Sequence, residues 1–172
     1  MFNTQLKVLT KNDSFELFQL VDKNRTFLKQ HLGWLDKNKS VKDIENFISF
    51  KQEEEKNYKS ITYKIVYNTK IIGLLDFHDI KENEANIGYW LDEEHQGKGL
   101  MTNSVKQLIY IGFYKFNFNK VNIFCGVNNF KSQNIAKRLN FQYIDIIRNR
   151  ENLYGKMIDH MHFQLLKENY IK

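Results

Sequence analysis

The stretch that most constrains this chain joins a short apolar segment, Ile87–Leu91, to a helix that begins near Leu100. The loop between them contains Gln96-Gly97-Lys98-Gly99. Two glycines around a lysine allow the backbone to approach a ligand closely. The helix that follows presents N–H groups without intrahelical partners and a partial positive charge. The pattern therefore predicts a strand, a loop that binds phosphate or pyrophosphate, and a helix, in that order.

Two common phosphate-binding patterns do not fit this loop. The P-loop pattern needs a glycine where Asp92 stands and a hydroxyl residue where Gly99 stands. The dinucleotide-binding fingerprint needs a third glycine where Thr102 stands. The loop instead fits a Gln-x-x-Gly-x-small pattern that begins at Gln96, except that Met101 replaces the small residue.

The composition indicates one globular domain, which we expect to span residues 1–172. Apolar residues make up 42% of the chain and aromatic residues 15%, which is too apolar for a disordered protein. The 26 Lys and Arg residues exceed the 20 Asp and Glu residues, and the resulting net charge of +6 favours anionic partners. Because the lysines are scattered along the chain, no direct readout of nucleic acid is predicted.

The sequence also predicts a cytoplasmic protein. Its single cysteine, Cys125, excludes an internal disulfide framework and fits a reducing compartment. The N-terminus lacks the basic region and apolar core of a signal peptide. No apolar run is long enough to cross a bilayer, so no membrane association is expected.

Hydrophobic periodicity predicts an α/β chain of the α+β kind. Strands are predicted at 5–9, 61–67, 71–78, 84–91, 121–127, 141–150 and 156–166, and helices at 25–32, 41–56, 100–116 and 132–139. An earlier helix, capped by Asp13 or Ser14, is predicted to carry Phe15, Leu17, Phe18 and Val21. Ser40 and Asp43 predict a capping box at the start of the helix at 41–56. The strand–loop–helix–strand order from 84 to 127 predicts a crossover unit with two parallel strands. Gly88 lies inside one of these strands and marks either a bulge or close packing.

A second motif, Asn129-Phe130-Lys131-Ser132 followed by Leu139-Asn140-Phe141, accompanies the loop. Together with Ile87-Gly88-Tyr89-Trp90 and the order of elements, it resembles the RimJ/RimL-type ribosomal-protein N-acetyltransferases of the GCN5-related N-acetyltransferase (GNAT) superfamily. The resemblance implies the GNAT fold, a mixed and mostly antiparallel sheet of about seven strands with flanking helices. It also implies that the fourth and fifth strands splay apart, and that the protein uses acetyl-CoA as cosubstrate without a metal.

The resemblance assigns the binding of acetyl-CoA to residues of this loop and its surroundings. Backbone groups of Tyr89 and Leu91 would pair with the pantetheine arm, and the N–H groups from Gln96 to Met101 would hold the pyrophosphate. Asn129 would contact the pantetheine arm, although an asparagine here is also a typical helix cap. The implied cosubstrate-binding residues are Tyr89, Leu91, Gln96, Gly97, Lys98, Gly99, Leu100, Met101, Asn129 and Ser132.

Catalytic candidates follow from the chemistry of amine acetylation, which needs an uncharged amine and benefits from a proton donor to the departing thiolate. The resemblance points to Ser132 as the donor, because Ala136 occupies the position at which many relatives carry a tyrosine. Asn86 replaces the glutamate that often serves as base, which leaves Glu84, on the same strand face, as a candidate base. His78, at the end of a strand on the acceptor side, is a candidate for orienting the acceptor or relaying a proton. A metal site is not predicted, because His160 and His162 lack a third ligand.

The resemblance implies direct transfer of acetyl to a primary amine in a ternary complex. An α-amine, with a pKa of about 7.7–8.0, needs less help from a base than a lysine near 10.4. The favoured acceptor is therefore a protein N-terminus, with a ribosomal protein as the family's name suggests, and a homodimer is compatible with the family. Two alternatives remain: acetylation of a polyamine or aminoglycoside in an acidic pocket containing Asp79, Glu82 and Glu84, or a non-catalytic acyl-CoA-binding or ribosome-binding module.

Overall fold

The computed structural model describes residues 4–170, which form one seven-stranded sheet flanked by helices. The strands are β1 (Gln5–Val8), β2 (Ile61–Tyr67), β3 (Lys70–Lys81), β4 (Glu84–Leu91), β5 (Lys120–Gly126), β6 (Gln142–Leu153) and β7 (Lys156–Leu166). The helices are α1 (Ser14–Lys23), α2 (Arg25–Leu28), α3 (Val41–Lys56), α4 (Leu100–Tyr114) and α5 (Phe130–Arg138). The strand order is β1-β2-β3-β4-β5-β7-β6, and only β4 and β5 are parallel. The predicted fold class is confirmed.

The two faces of the sheet are covered by different helices. Because side chains alternate along a strand, Leu74 packs in one apolar cluster with α1 and α3, while the adjacent Leu75 packs in a second cluster with α4. On β4, Trp90 belongs to the first cluster and Leu91 to the second. A ligand that reaches both faces must therefore pass through the sheet or around its edge.

The sheet opens between β4 and β5. These strands pair only where Glu84–Asn86 face Lys120–Asn122, and from Ile87 onward β4 pairs with β3 alone. The predicted splay is therefore confirmed. The register between β3 and β4 is unbroken at Gly88, and the irregularity lies in β3 between His78 and Lys81. Gly88 is thus a packing glycine, because a Cβ atom there would lie 2.7 Å from Asp76 Oδ1.

Most predicted boundaries agree with the structure to within a few residues. The helix predicted at 25–32 is shorter, since α2 ends at Leu28 and the chain continues in hydrogen-bonded turns to Leu32. The strand predicted to end at His78 reaches Lys81, because pairing with β4 resumes after the irregularity. The predicted capping box of Ser40 and Asp43 at the start of α3 is present.

Helix α4 anchors the loop at 96–99 to the core; we call this segment the phosphate loop after its predicted ligand. Its buried face was predicted from the spacing of its apolar residues and includes Val105, Leu108 and Phe113. Because this face is anchored under the sheet, the first turn at Leu100 has a defined position and direction. No helix in the described part of the chain has both the length and the apolar character needed to cross a membrane.

Candidate active site

The loop before α4 has the backbone shape of an anion site. Gly97 and Gly99 have φ angles of 73° and 74°, in the left-handed region that favours glycine, and no atom lies within 4 Å of a Cβ built on either residue. Within residues 4–170, the N–H groups from Gly97 to Met101 have no hydrogen-bond partner outside the helix. Gln96 differs, because its N–H donates to the carbonyl oxygen of Glu93 at 3.2 Å.

Two lysines lie beside this loop. Lys98 Nζ donates to the carbonyl oxygen of Glu94 at 2.9 Å, so its side chain lies along the loop. Lys131 Nζ, from the first turn of α5, donates to Gln96 Oε1 at 2.6 Å. Lys131 was not predicted, because only the fold brings α5 next to a loop 35 residues earlier in the chain.

Ser132 lies at the gap between β4 and β5, on the face covered by α4 and α5. The side-chain hydroxyl of Tyr89 lies 2.8 Å from Ser132 Oγ, and Asn129 Oδ1 accepts a hydrogen bond from the Ser132 N–H at 3.2 Å. Asn129 therefore caps α5, as one of its two predicted roles requires. Ser132 is itself buried, with 9% of its surface exposed.

The neighbours of Ser132 retain their protons at neutral pH. Burial raises the pKa of the Cys125 thiol to about 11, although a hydrogen bond with Ser132 partly opposes the effect. Burial likewise raises the pKa of the Tyr89 hydroxyl. Cys125 is therefore a buried and unreactive thiol, and Ser132 has uncharged neighbours.

A cavity of about 1150 Å³ lies on the opposite face of the sheet, beside α3. Its floor contains Asp76 and His78 from β3 and Asn86, Gly88 and Tyr89 from β4. Because Tyr89 lines this cavity and also contacts Ser132, it connects the two sides of the site. The gap between β4 and β5 thus joins the Ser132 side of the sheet to the cavity.

Of the two catalytic candidates on this face, Glu84 and His78, His78 lies nearer to the gap. His78 Nδ1 is 3.1 Å from Asp76 Oδ1, and both side chains lie over Gly88. Glu84 lines the same cavity at the start of β4, where it forms an ion pair with Lys120. The Asn86 side chain donates to Asp79 Oδ2 at 3.0 Å. Asp76 was missed from the sequence, although its spacing of two residues from His78 in the predicted strand at 71–78 places both side chains on one face and could have identified it.

One wall of the cavity is aromatic. The Trp34 ring lies nearly parallel to the Phe47 ring, with an angle of 13° and a centroid distance of 6.4 Å. Trp90 is tilted against Trp34 at 6.3 Å. Across the cavity, the Arg150 guanidinium lies 3.7 Å from the centre of the Phe124 ring. From the sequence, Phe47 was distinguishable only as part of the apolar face of α3.

The cavity is electrically balanced. Five carboxylates line it (Glu54, Asp76, Asp79, Glu84 and Glu151), together with five basic side chains (Lys51, Lys59, Lys81, Lys120 and Arg150). Lys51 lies within ion-pair distance of both Glu54 and Asp76. This balance weighs against a polycationic acceptor, which would favour a net negative pocket. Across residues 4–170, no group of three His, Cys, Asp or Glu side chains is placed to hold a metal ion.

Comparison with known proteins gives the same family. A family model described as "Acetyltransferase (GNAT) domain" matches residues 4–142. The chain is 28% identical over 166 residues to the ribosomal-protein-serine acetyltransferase of Escherichia coli strain K12. The alignment covers 90% of this chain and 93% of that protein.

Two solved structures share the architecture at comparable identity. The RimL ribosomal L7/L12 α-N-protein acetyltransferase, in complex with coenzyme A disulfide-linked to a cysteine, superposes with a TM-score of 0.92 at 26% identity, over 96% of this chain and 95% of that chain. The microcin C7 self-immunity acetyltransferase MccE, in complex with acetyl-CoA and AMP, has a TM-score of 0.90 at 28% identity, over 95% and 92%. The family match covers more than half of the sequence and confirms the resemblance drawn from its motifs. The chain belongs to the GNAT acetyltransferase family.

Proposed function

We propose that this protein is a cytoplasmic N-acetyltransferase that transfers acetyl from acetyl-CoA to the N-terminal α-amine of a protein, most favourably a ribosomal one. The observation that carries the proposal is the gap between β4 and β5. It joins a phosphate loop and Ser132 on one face of the sheet to a cavity with an imidazole on the other. The matched E. coli enzyme and RimL are both named for acetylation of ribosomal proteins.

The residues at the gap fit acetyl-CoA, which supplies the activated acetyl group when bound. The N–H groups from Gly97 to Met101 would hold the pyrophosphate, since they lie at the start of α4. The β4 backbone at Tyr89 and Leu91 has no β5 partner and would pair with the pantetheine amides. Asn129 caps α5 through Oδ1, and its Nδ2 group has no partner within residues 4–170, so it remains available to the pantetheine arm.

Ser132 is the proposed proton donor to the departing sulfur. In the RimL complex, coenzyme A is joined to a cysteine by a disulfide. The single cysteine of this chain, Cys125, lies close enough to Ser132 for the serine to oppose the rise in its thiol pKa. We infer that the thiol end of the cosubstrate lies beside this pair. Because Tyr89 can donate to Ser132 Oγ, the serine hydroxyl is free to donate its own proton to the sulfur.

His78 is the proposed base for the incoming amine. Its Nδ1 atom faces Asp76, so Nε2 is the atom left to accept a proton, either directly or through a water molecule. Glu84 fits less well, because it is paired with Lys120 and stands four residues, roughly 13 Å of strand, before Gly88. Asp76 would orient the imidazole without contacting the acceptor.

We expect His78→Gln to lower kcat/KM by roughly 10²-fold at pH 7. The loss should shrink above the amine pKa of about 8, because the acceptor is then uncharged without assistance. Glu84→Gln is the matched control and should leave the pH profile unchanged. Steady-state rates from pH 6 to 9.5 check the prediction. A pH profile altered by Glu84→Gln and not by His78→Gln would assign the base to Glu84.

The proposed acceptor is tested by release of the CoA thiol from acetyl-CoA with two versions of one peptide pool. One version has blocked lysines and free α-amines, and the other has the reverse. Release from the free α-amine version alone supports the proposal and makes ribosomal proteins the next substrates. Release from the free-lysine version alone would contradict it. If neither version releases the thiol, a small amine acceptor or a non-catalytic binding function would remain.

A second candidate acceptor is an α-amine carried on a nucleotide, such as an aminoacyl nucleotide. The Trp34 and Phe47 rings offer a stacking surface, and Arg150 offers a cation for a phosphate. MccE, with the same fold, binds AMP together with acetyl-CoA. Calorimetric titration with AMP tests this candidate, since binding should weaken in Trp34→Ala and remain in Glu84→Gln. Absence of AMP binding would remove it.

A further inference from the structure

Asp92 is a buried carboxylate at the entrance to the phosphate loop that the proposed mechanism does not use. Its side chain is 3% exposed. Asn24 Nδ2 donates to Asp92 Oδ1 at 2.8 Å, and His95 Nδ1 lies 2.7 Å from Oδ2. Lys23 Nζ completes the set of partners at 3.6 Å. Every charged or polar contact of this carboxylate thus comes from the end of α1 or from the loop itself.

The same residues hold the backbone that leads into the loop. Asp92 N–H donates to the Ile72 carbonyl at 2.8 Å, and Glu93 N–H donates to Asn24 Oδ1 at 2.9 Å. A single 3-10 turn, Glu93–His95, follows and ends at Gln96. The side chain of Asn24 therefore contacts both the carboxylate and the backbone of the turn, which fixes the turn between β3 and α1.

Asp92 carries its negative charge near a site that must attract phosphate, so a positioning role has to outweigh an unfavourable electrostatic effect on the ligand. Burial alone would raise the pKa of Asp92, but the hydrogen bonds from Asn24 and His95 and the charge of Lys23 hold it below its usual value. The carboxylate is therefore ionised at neutral pH, and hydrogen bonds to an ionised group are stronger than neutral ones.

We propose that Asn24, Asp92 and His95 form a clamp that positions the phosphate loop and thereby sets the affinity for the nucleotide half of coenzyme A. These are positioning residues, because Asp92 and Asn24 are buried away from the open side of Gly97 and Gly99. The clamp acts on Glu93 and His95, the first and last residues of the turn that precedes Gln96. The inference rests on the proposed use of acetyl-CoA.

Variants at His95 separate the clamp from general stability. His95→Leu removes the donor to Asp92, whereas His95→Asn places an amide N–H near the position of Nδ1. The probes are coenzyme A and pantetheine, which lacks the pyrophosphate and adenosine. We expect His95→Leu to weaken coenzyme A binding by roughly tenfold and leave pantetheine binding unchanged, and His95→Asn to restore most of the loss. The kcat at saturating acetyl-CoA should change less than twofold.

Equal weakening of both ligands, or no weakening of either, would overturn the clamp. Asn24→Ser provides a second variant that shortens the donor on the other side of Asp92, and it should give the same preference for pantetheine over coenzyme A. Binding of both ligands is measured by titration calorimetry, which needs no acceptor amine. The test therefore remains valid if no acceptor is found. If the unaltered protein binds no coenzyme A, the proposed function fails and the clamp fails with it.

Discussion

Replacing Ser132 with alanine should lower kcat by about 10²–10³-fold while changing the Kd for coenzyme A less than threefold. The Ser132 hydroxyl is the proposed donor, and it lies beside the Tyr89 hydroxyl and the Cys125 thiol. Helix α5 should remain intact, because its cap runs from Asn129 to the backbone N–H of Ser132 and does not use the serine hydroxyl. Release of the CoA thiol under single-turnover conditions measures the effect on chemistry directly.

Tyr89→Phe is the matched control for this substitution. It removes the hydroxyl that contacts Ser132 and keeps the ring in place, so we expect a loss below tenfold. Since burial raises the pKa of Tyr89, the tyrosine retains a proton and is an alternative donor at this position. A large loss in Tyr89→Phe together with near-normal turnover in Ser132→Ala would assign the donor to Tyr89 and refute the proposed role of the serine.

Gly99→Val should weaken coenzyme A binding by distorting the backbone of the loop. Gly99 has a φ angle of 74°, and a left-handed residue with a side chain costs roughly 1–2 kcal/mol, more when the side chain is β-branched. With valine, the loop either keeps its shape at the cost of this strain or changes its shape. In the second case, the free N–H groups no longer point in a common direction. A loss of roughly 5- to 30-fold or more is expected in calorimetric titration with coenzyme A.

Gly99→Asn distinguishes backbone shape from steric bulk. Asparagine tolerates the left-handed region, and no atom lies within 4 Å of the added Cβ, so most of the affinity should remain. Equal losses for valine and asparagine would indicate that the side chain blocks the ligand. Equal tolerance of both would show that the loop shape does not determine binding.

The sequence predicted the parts of this protein that depend on local signals. The glycines around Lys98, the apolar face of α4 and the capping box at Ser40 each act within a few residues, and each appears in the structure. Asn140, just after α5, has a φ angle of 61°, a left-handed conformation that asparagine tolerates at the end of a helix.

Features that depend on pairing between distant segments could not be predicted. Lys131 reaches Gln96 across 35 residues of sequence, and Asn24 reaches Asp92 across 68. The identity of the general base also could not be predicted, because Asn86 stands where the family resemblance would place a glutamate.

The gap in the sheet has a consequence for the lifetime of the protein. From Ile87 to Leu91, the edge of β4 that faces β5 lacks the interstrand hydrogen bonds that protect a central strand from hydrogen exchange. A cosubstrate that supplies the missing hydrogen bonds would act as an extra strand, and amide hydrogen exchange in β4 and β5 should slow when it binds. Ligand binding stabilises the folded state in proportion to ln(1 + [L]/Kd). Resistance to proteolysis, and with it cellular abundance, would therefore rise with the supply of acetyl-CoA.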